Sequence, residues 1–436
     1  ANIGVIVIDD ATKKIESNSL FEIKEDTAKD ATVAAAAQKI IDRIDKEYGA
    51  VFAKSEVVLN GAKAPNGNRD SETNNGDLIT DAMVWKILQD KESLTVDADH
   101  VVAVTNGGGI RKAINPGDVT KKNINEVLPF GNTVVTIYIT GAELLEALEA
   151  STYCTPDAIG GFPQVSGINY TISTAVAYDA NAETYPASTY YGPKSINRVT
   201  INSINGKEFK ADDTYAVITN DFCGGGGDTY YAFAAATAKF DTGIPLDEVV
   251  MEYITAELKG VIGKQYAAPQ GRILMNPFAD VKASSWFGKY VIDLYNDGII
   301  NGTSATTYAP NNTLTWAAAL KLLLVSNGDL KAADATGADW SKNTIAKAAE
   351  LGLVAADLDG AKAISRLEFC QVAAKLNKLA ESKTESKFTD CTDGYVMALV
   401  DAKVISGMTE TTFEPAASLT RAQIAKILYQ LTLIEK

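Results

Sequence analysis

Asn106, the three glycines after it and Arg111 are the densest group of residues in this chain whose types suit ligand chemistry. They lie in His100–Asn132, HVVAVTNGGGIRKAINPGDVTKKNINEVLPFGN, where the apolar run Val101–Val104 breaks at Asn106. Consecutive glycines allow a tight turn and can expose backbone N–H groups to a ligand, because no Cβ stands in the way. Arg111 adds a planar cationic fork. Pro129-Phe130-Gly131-Asn132 brings an aromatic face and an amide on a second turn. Together these groups suit a planar polar ligand such as a nucleoside. The same residues also read, without any ligand, as a strand, a turn and an amphipathic segment.

Other chemistries are excluded by what is missing. A dinucleotide fingerprint counted from Gly107 needs a last glycine where Lys112 stands, and neither glycine run is followed by the Lys-Ser/Thr of a phosphate loop. Nucleophilic triads would have to share the single histidine, His100, and no nucleophile motif accompanies it. Cys154, Cys223, Cys370 and Cys391 have no metal-ligand spacing and read as free thiols, with at most one bridge. A net charge of −15 argues against nucleic acid or an anionic membrane as a bulk partner. No run of eighteen apolar residues is present to span a membrane. With 46% hydrophobic residues in 436, the chain can bury cores for two or three domains.

These residues need elements to hold them. Residues 1–25 read as two strands with a turn at Asp9–Lys13, and Ile3–Ile8 is too short for a signal-peptide core. A start at Ala1 without methionine reads as a processed form or a fragment. Asp30–Gly49 reads as one helix from Val33, Ala37, Ile40, Ile41, Ile44 and Tyr48. Residues 50–275 alternate β-rich runs (Thr133–Thr140, Gly167–Thr174, Arg198–Ile204, Tyr215–Thr219) with helical ones (Gly76–Leu88, Gly141–Ala150, Leu246–Leu258). The fold class is α+β with a mixed sheet. Tyr178–Tyr191 reads as an exposed loop or hairpin. From Phe278 onward the texture is helical and repetitive.

NGGGIR, PFGN and the Thr140–Glu149 helix resemble the C-terminal substrate-binding domain of the 5′-nucleotidases. Arg69-Asp-Ser-Glu-Thr-Asn-Asn-Gly-Asp-Leu, Phe162-Pro-Gln-Val-Ser-Gly167 and Asn220-Asp-Phe…Gly226-Gly-Asp-Thr-Tyr230 fit the same family in order. Phe278-Ala-Asp…Trp286…Gly298-Ile-Ile-Asn-Gly302…Tyr308-Ala-Pro…Thr315-Trp recurs, degraded, to Ser365-Arg-Leu-Glu368. It recurs again over Phe388-Thr-Asp…Phe413-Glu-Pro…Thr420-Arg-Ala-Gln423. This resembles three S-layer homology repeats, at about 278–328, 330–380 and 388–436, which would close into an α-rich spindle.

The resemblance implies roles. Phe130 and Phe222 would sandwich a base, and Asp228 would accept from the ribose hydroxyls. Asn106 and the Gly107–Gly109 backbone, Gly108 included, would meet the base edge. Arg69, Arg111 and Asn132 would meet base, sugar or phosphate oxygens. Asp77 stands where the family has Asn. In the repeats, Trp286, Arg366 and Arg421 would line grooves for cell-wall polysaccharide, while Trp316 replaces the first arginine and Tyr395 stands near the third tryptophan. The family's catalytic domain holds two divalent metals through histidine blocks that are missing here, so catalytic residues, metal ligands and cofactors are expected to be none in this chain. Residues 1–29 would be the tail of that metallophosphoesterase domain and 30–49 the linker helix. The expected function is nucleotide or nucleoside binding within a cell-wall-anchored extracellular bacterial hydrolase, a 5′-nucleotidase or a 2′,3′-cyclic-nucleotide 2′-phosphodiesterase. The alternative is a non-catalytic surface-displayed binding or S-layer structural protein.

Overall fold

An antiparallel hairpin opens the chain, with β1 (Asn2–Ile8) paired to β2 (Ile15–Glu22). Helix α1 (Ala31–Tyr48) follows, capped by the Asp30 carboxylate, which accepts the N–H groups of Thr32 and Val33. The apolar period along α1 is real, yet its stripe buries nothing. Val33, Ile40, Ile41 and Ile44 are exposed, as are Ile3, Ile6, Leu20 and Phe21 on the hairpin. An ion pair from Lys122 to Asp45 ties α1 to the next unit. The computed structural model describes residues 2–176 and 196–434, so the expected Tyr178–Tyr191 loop or hairpin lies outside the described residues.

The next unit runs β3 (Val51–Ser55), α2 (Asn74–Leu88), β4 (Val101–Asn106), β5 (Gly117–Thr120), α3 (Lys121–Val127), β6 (Thr133–Thr140) and α4 (Gly141–Ser151). It continues with β7 (Pro163–Ser166), β8 (Ile168–Ser173), β9 (Val199–Ile204), β10 (Thr214–Asn220), α5 (Asp221–Gly224) and α6 (Tyr231–Ala234). Last come β11 (Ala238–Pro245), α7 (Leu246–Ala256), β12 (Val261–Ile262) and β13 (Ile273–Asn276). The central sheet has the order β11-β6-β10-β4-β7, and its β10–β4 pair is parallel while the other pairs are antiparallel. Sheets β12-β3-β5 and β13-β8-β9 flank it. This is the expected mixed α+β class.

Side chains alternate faces along a strand, so a strand covered on both sides reads as one apolar run. Strand β4 shows this directly. Val101 and Ala103 join a core with α2 and α7, whereas Val102 and Val104 join a second core with α4 and α6. Strand β10 divides likewise between Ala216/Ile218 and Tyr215/Val217. The two parallel strands therefore run buried to Asn106 and Asn220. Ligand sites in such sheets lie outside the carboxyl ends of parallel strands.

Residues from Phe278 on form α8 (Gly288–Asn296), α9 (Trp316–Asn327), α10 (Trp340–Glu350), α11 (Arg366–Leu376), α12 (Gly394–Asp401) and α13 (Arg421–Thr432) around one core. Their closure is cyclic. Trp316 N–H donates to Lys362 O, Arg366 N–H to Ala417 O and Arg421 N–H to Asn312 O, at 2.8–2.9 Å. The start of each repeat's last helix is thus tied to the loop before the equivalent helix of the next repeat, and the third returns to the first. The spindle joins the preceding domain without a loose linker. Asn296 donates to Met275 O and accepts from Met275 N, both at 2.9 Å, and Leu274 packs on the spindle core.

Candidate functional site

A cavity of about 580 Å³ opens at the carboxyl ends of β4 and β10. Arg69, Asn106, Gly108, Arg111, Phe130, Asn132, Phe222 and Asp228 all line it, so the residues singled out in the sequence converge on one place. The strand ends are cross-linked there. Asn220 Nδ2 donates to Thr105 Oγ1 at 2.9 Å and to Asn106 Oδ1 at 3.1 Å, while its own Oδ1 caps α5 through Cys223 N–H. Asn106 Nδ2 in turn donates to Asp228 Oδ2 at 2.7 Å. Asp228 sits at φ 51°, a turn conformation that Asp tolerates better than most residues. Burial pushes its carboxyl above the ordinary range, opposed by the Asn106 hydrogen bond and the Arg69 charge.

Two aromatic rings stand open at the cavity. Phe130 is 62% exposed and Phe222 47%, unlike the fully buried Phe162 and Phe233 of the adjoining core. Exposed rings cost hydration free energy unless something covers them. Arg111 lies with its guanidinium carbon 5.6 Å from the Phe130 centroid and donates to Gly108 O at 3.0 Å. A Cβ on Gly227 would come within 2.5 Å of the Phe222 ring, so glycine there is what lets the ring lie where it does.

The glycine run corrects one expectation. Gly107 N–H donates to Phe162 O and Gly108 N–H to Gly160 O, each at 2.7 Å. These donors are consumed by the protein and do not face a base edge. The glycines serve close approach instead, since a Cβ on Gly107 would lie 1.6 Å from Asn68 O. Gly108 reaches the cavity through the space it leaves. Arg69 places a buried Nε with no hydrogen-bond partner among the described residues. Asp77 is away from the cavity, fully buried in the first turn of α2, where its carboxyl takes Gln270 N–H at 3.1 Å and lies 3.5 Å from Arg272. His100 bridges Asp99 and Asp213 and stacks on Tyr215.

Sequence reasoning passed over two carboxylates in the cavity wall. Asp221 and Asp247 both line it. Asp221 was visible inside the Asn-Asp-Phe block. Asp247, in the first turn of α7, carried no more signal than an acid at a helix start.

In the spindle, Trp286 is 59% exposed, its ring edge-on to Phe287 at 5.4 Å. Arg366 is 7% exposed; its Nη2 donates to Ser406 O at 2.8 Å and its guanidinium lies 4.7 Å from the Phe413 centroid. Arg421 donates from Nε to Tyr308 O and from Nη2 to Asn301 O, both at 2.7 Å, and sits 4.4 Å from the Tyr308 ring. Each arginine thus reaches from its own repeat into the next one round the ring. The two resemble staples more than open grips.

The donors do not fit a two-metal centre. The chain has one histidine, and among the described residues no group of three or more His, Cys, Asp or Glu could hold a metal ion. No helix among the described residues is long and apolar enough to cross a membrane.

Residues 51–235 match the family model of the 5′-nucleotidase C-terminal domain, and residues 277–319 and 390–425 match the S-layer homology domain. The trifunctional nucleotide phosphoesterase protein YfkN of Bacillus subtilis is 33% identical over 257 residues, covering 58% of this chain and 16% of that protein. Mouse 5′-nucleotidase is 30% identical over 249 residues, covering 56% and 40%. Among solved structures, the 5′-nucleotidase precursor of Thermus thermophilus is 29% identical at a TM-score of 0.45, covering 62% of this chain and 48% of its own. The chain spans less than half the length of each of these three proteins. It carries a 5′-nucleotidase-family C-terminal domain joined to S-layer homology repeats, domains that indicate attachment at a bacterial cell surface.

Proposed function

We propose that residues 50–275 hold the nucleoside part of a nucleotide for a wall-anchored extracellular phosphoesterase of the 5′-nucleotidase type. In this reading Phe130 and Phe222 stack on the base, Asp228 accepts from the ribose hydroxyls, and Arg69, Arg111 and Asn132 meet polar oxygens. The observation that carries it is the pair of exposed phenylalanines on a cavity whose other walls are the Asn106–Asp228 network and two arginines. Residues 278–436 act as three repeats that hold secondary cell-wall polysaccharide, with the exposed Trp286 on its path and Arg366 and Arg421 holding together the repeats that form the grooves. The unburied apolar faces of β1, β2 and α1 support assigning 1–29 to the edge of a metallophosphoesterase domain and 30–49 to a linker helix. Two-metal hydrolysis needs several ligands for each ion, and among the described residues no group of three or more His, Cys, Asp or Glu could hold one. In this reading the chain binds the nucleotide, and the hydrolytic step is assigned to a catalytic domain with its own metals.

Calorimetry with adenosine tests the clamp. Phe222→Ala should weaken binding by about 1–3 kcal/mol, the range for one base–aromatic stack. Equal affinities for wild type and variant would remove the clamp. Metal-dependent phosphate release by the purified chain, lost in Phe222→Ala, would overturn the division of labour.

A further inference from the structure

We infer that the pocket selects bases bearing an exocyclic amino group, adenine among them, through the carboxylates of Asp221 and Asp247. This deepens the nucleoside reading above and rests on it.

Asn132 joins the two acids. Its Nδ2 donates to Asp221 Oδ1 at 2.7 Å, and its carbonyl accepts the N–H of Leu246, the residue before Asp247, at 2.8 Å. Asp221 Oδ1 also accepts Phe222 N–H at 2.9 Å. The Asp221 carboxylate is therefore fastened to the turn carrying Phe130 and to the helix carrying Phe222, while Asp247 is joined to that turn only through the backbone of the residue before it. The Asp228–Asn106 pair forms a separate network.

Each acid has one oxygen occupied. Asp221 Oδ1 takes the two donors just named, and Asp247 Oδ2 takes Asn125 Nδ2. Asn125 is a positioning residue, held by α3, which starts with a Thr120–Asn123 capping box. Asp221 Oδ2 and Asp247 Oδ1 receive no hydrogen bond from the described residues. An ionised carboxylate only accepts. Facing a stacked base, these oxygens gain a charge-assisted hydrogen bond from an amino group and are repelled by a keto oxygen. A site built around such a contact rejects the analogue that lacks it, because the acceptor is then desolvated and unpaired.

Calorimetry on the full chain at fixed salt, with three ligands of one shape, tests this. Adenosine carries the 6-amino group, purine riboside carries nothing there, and inosine carries a keto oxygen. Wild type should bind adenosine at least about tenfold tighter than either of the others. The double variant Asp221→Asn/Asp247→Asn keeps the occupied oxygens on Asn132, Phe222 and Asn125 and puts NH₂ groups where the open oxygens were. Its preference should turn toward inosine. Asp247→Asn alone, whose carboxylate is not tied to Phe222, should show part of that turn if the double variant melts early. Purine riboside within twofold of adenosine on wild type, or an unchanged adenosine preference in the variants, overturns the inference. No binding of any nucleoside would sink the pocket reading itself.

Discussion

Phe130 and Phe222 stand 62% and 47% exposed beside an open cavity, whereas Arg366, chosen from an equally specific motif, is 7% exposed and spends its guanidinium on a backbone carbonyl and a ring. Arg421 is tied down even more fully, by two carbonyls and Tyr308. The contrast separates two reasons for a residue to recur in a motif. In the pocket, side chains are held by neighbours but end in empty space. At the repeat junctions, they end in the protein and hold one repeat to the next. Two aromatic rings left uncovered on one cavity leave room for a ligand, whereas Arg421 has two carbonyl partners and a ring, and Arg366 has one of each with its buried Nε unpartnered among the described residues.

Several measurements would break or sharpen that contrast. The largest effect is expected at the junction that closes the ring. Arg421→Ala removes two charge-assisted hydrogen bonds and a cation–π contact, and should cost about 3 kcal/mol of spindle stability. Thermal melting of the full chain reads it directly; an unshifted transition would mean that the arginine is a grip after all.

Asp77 is the inward-facing acid of the nucleotidase domain. Burial first, then the Glu72 charge, raises its carboxyl to about 9. A carboxyl whose folded pKa lies above its unfolded one binds more protons in the folded state. Its contribution is whole below the unfolded value, near 3.8, and is lost as pH rises toward 9. Asp77→Asn removes that loss while Asp81 still pairs with Arg272 at 2.8 Å. At pH 8 the variant should be more stable than the wild type, with a flatter pH profile. Parallel profiles for the two proteins would refute it.

The outward-facing side is probed by Gly227→Ala. The new methyl displaces the Phe222 ring, so adenosine binding should fall by about 1–2 kcal/mol, while the melting temperature stays within a degree or two of wild type. Lost binding together with a large drop in melting would place Phe222 on the structural side. The smallest effect belongs to His100. The Asp99 hydrogen bond, aided by Asp213 and opposed by burial, raises its pKa. Its stabilisation is full below pH 6.5 and fades as pH rises through the higher folded value. With the ring about a third exposed, His100→Gln should cost under about 1 kcal/mol at pH 5.5 and nothing at pH 9. A cost that grows with pH would reverse the assignment.

Much of this was legible in the chain because the signals are local. Strand β4 reads as a continuous apolar run, α1 as a capped 3.6-residue period, and the pocket residues as blocks beside glycines and turns. What escaped depends on segments far apart in sequence. The donors of Gly107 and Gly108 are taken by Phe162 and Gly160, some fifty residues away, so a ligand-cradling loop and a packing constraint look alike in sequence. The exposure of α1 was hidden for the opposite reason. Periodicity states which face is apolar and says nothing of whether anything covers it. The arginine staples rest on carbonyls of Ser406 and Asn301, groups that every residue carries and no motif can mark.

The Asn296–Met275 clasp has a mechanical side. Strand β13 leads straight into the spindle and lies parallel to β8 over Ile273–Asn276, so a pull on a tethered spindle runs along the strand axis. Hydrogen bonds in that geometry are loaded together in shear, which resists more force than peeling them apart one at a time. A protein held at one end in flowing medium would pass drag into this sheet, which is separate from the sheet whose strand ends carry the cavity. A load carried this way would meet β13 and β8 first and would reach the central sheet only through Gly167, the single residue between β7 and β8.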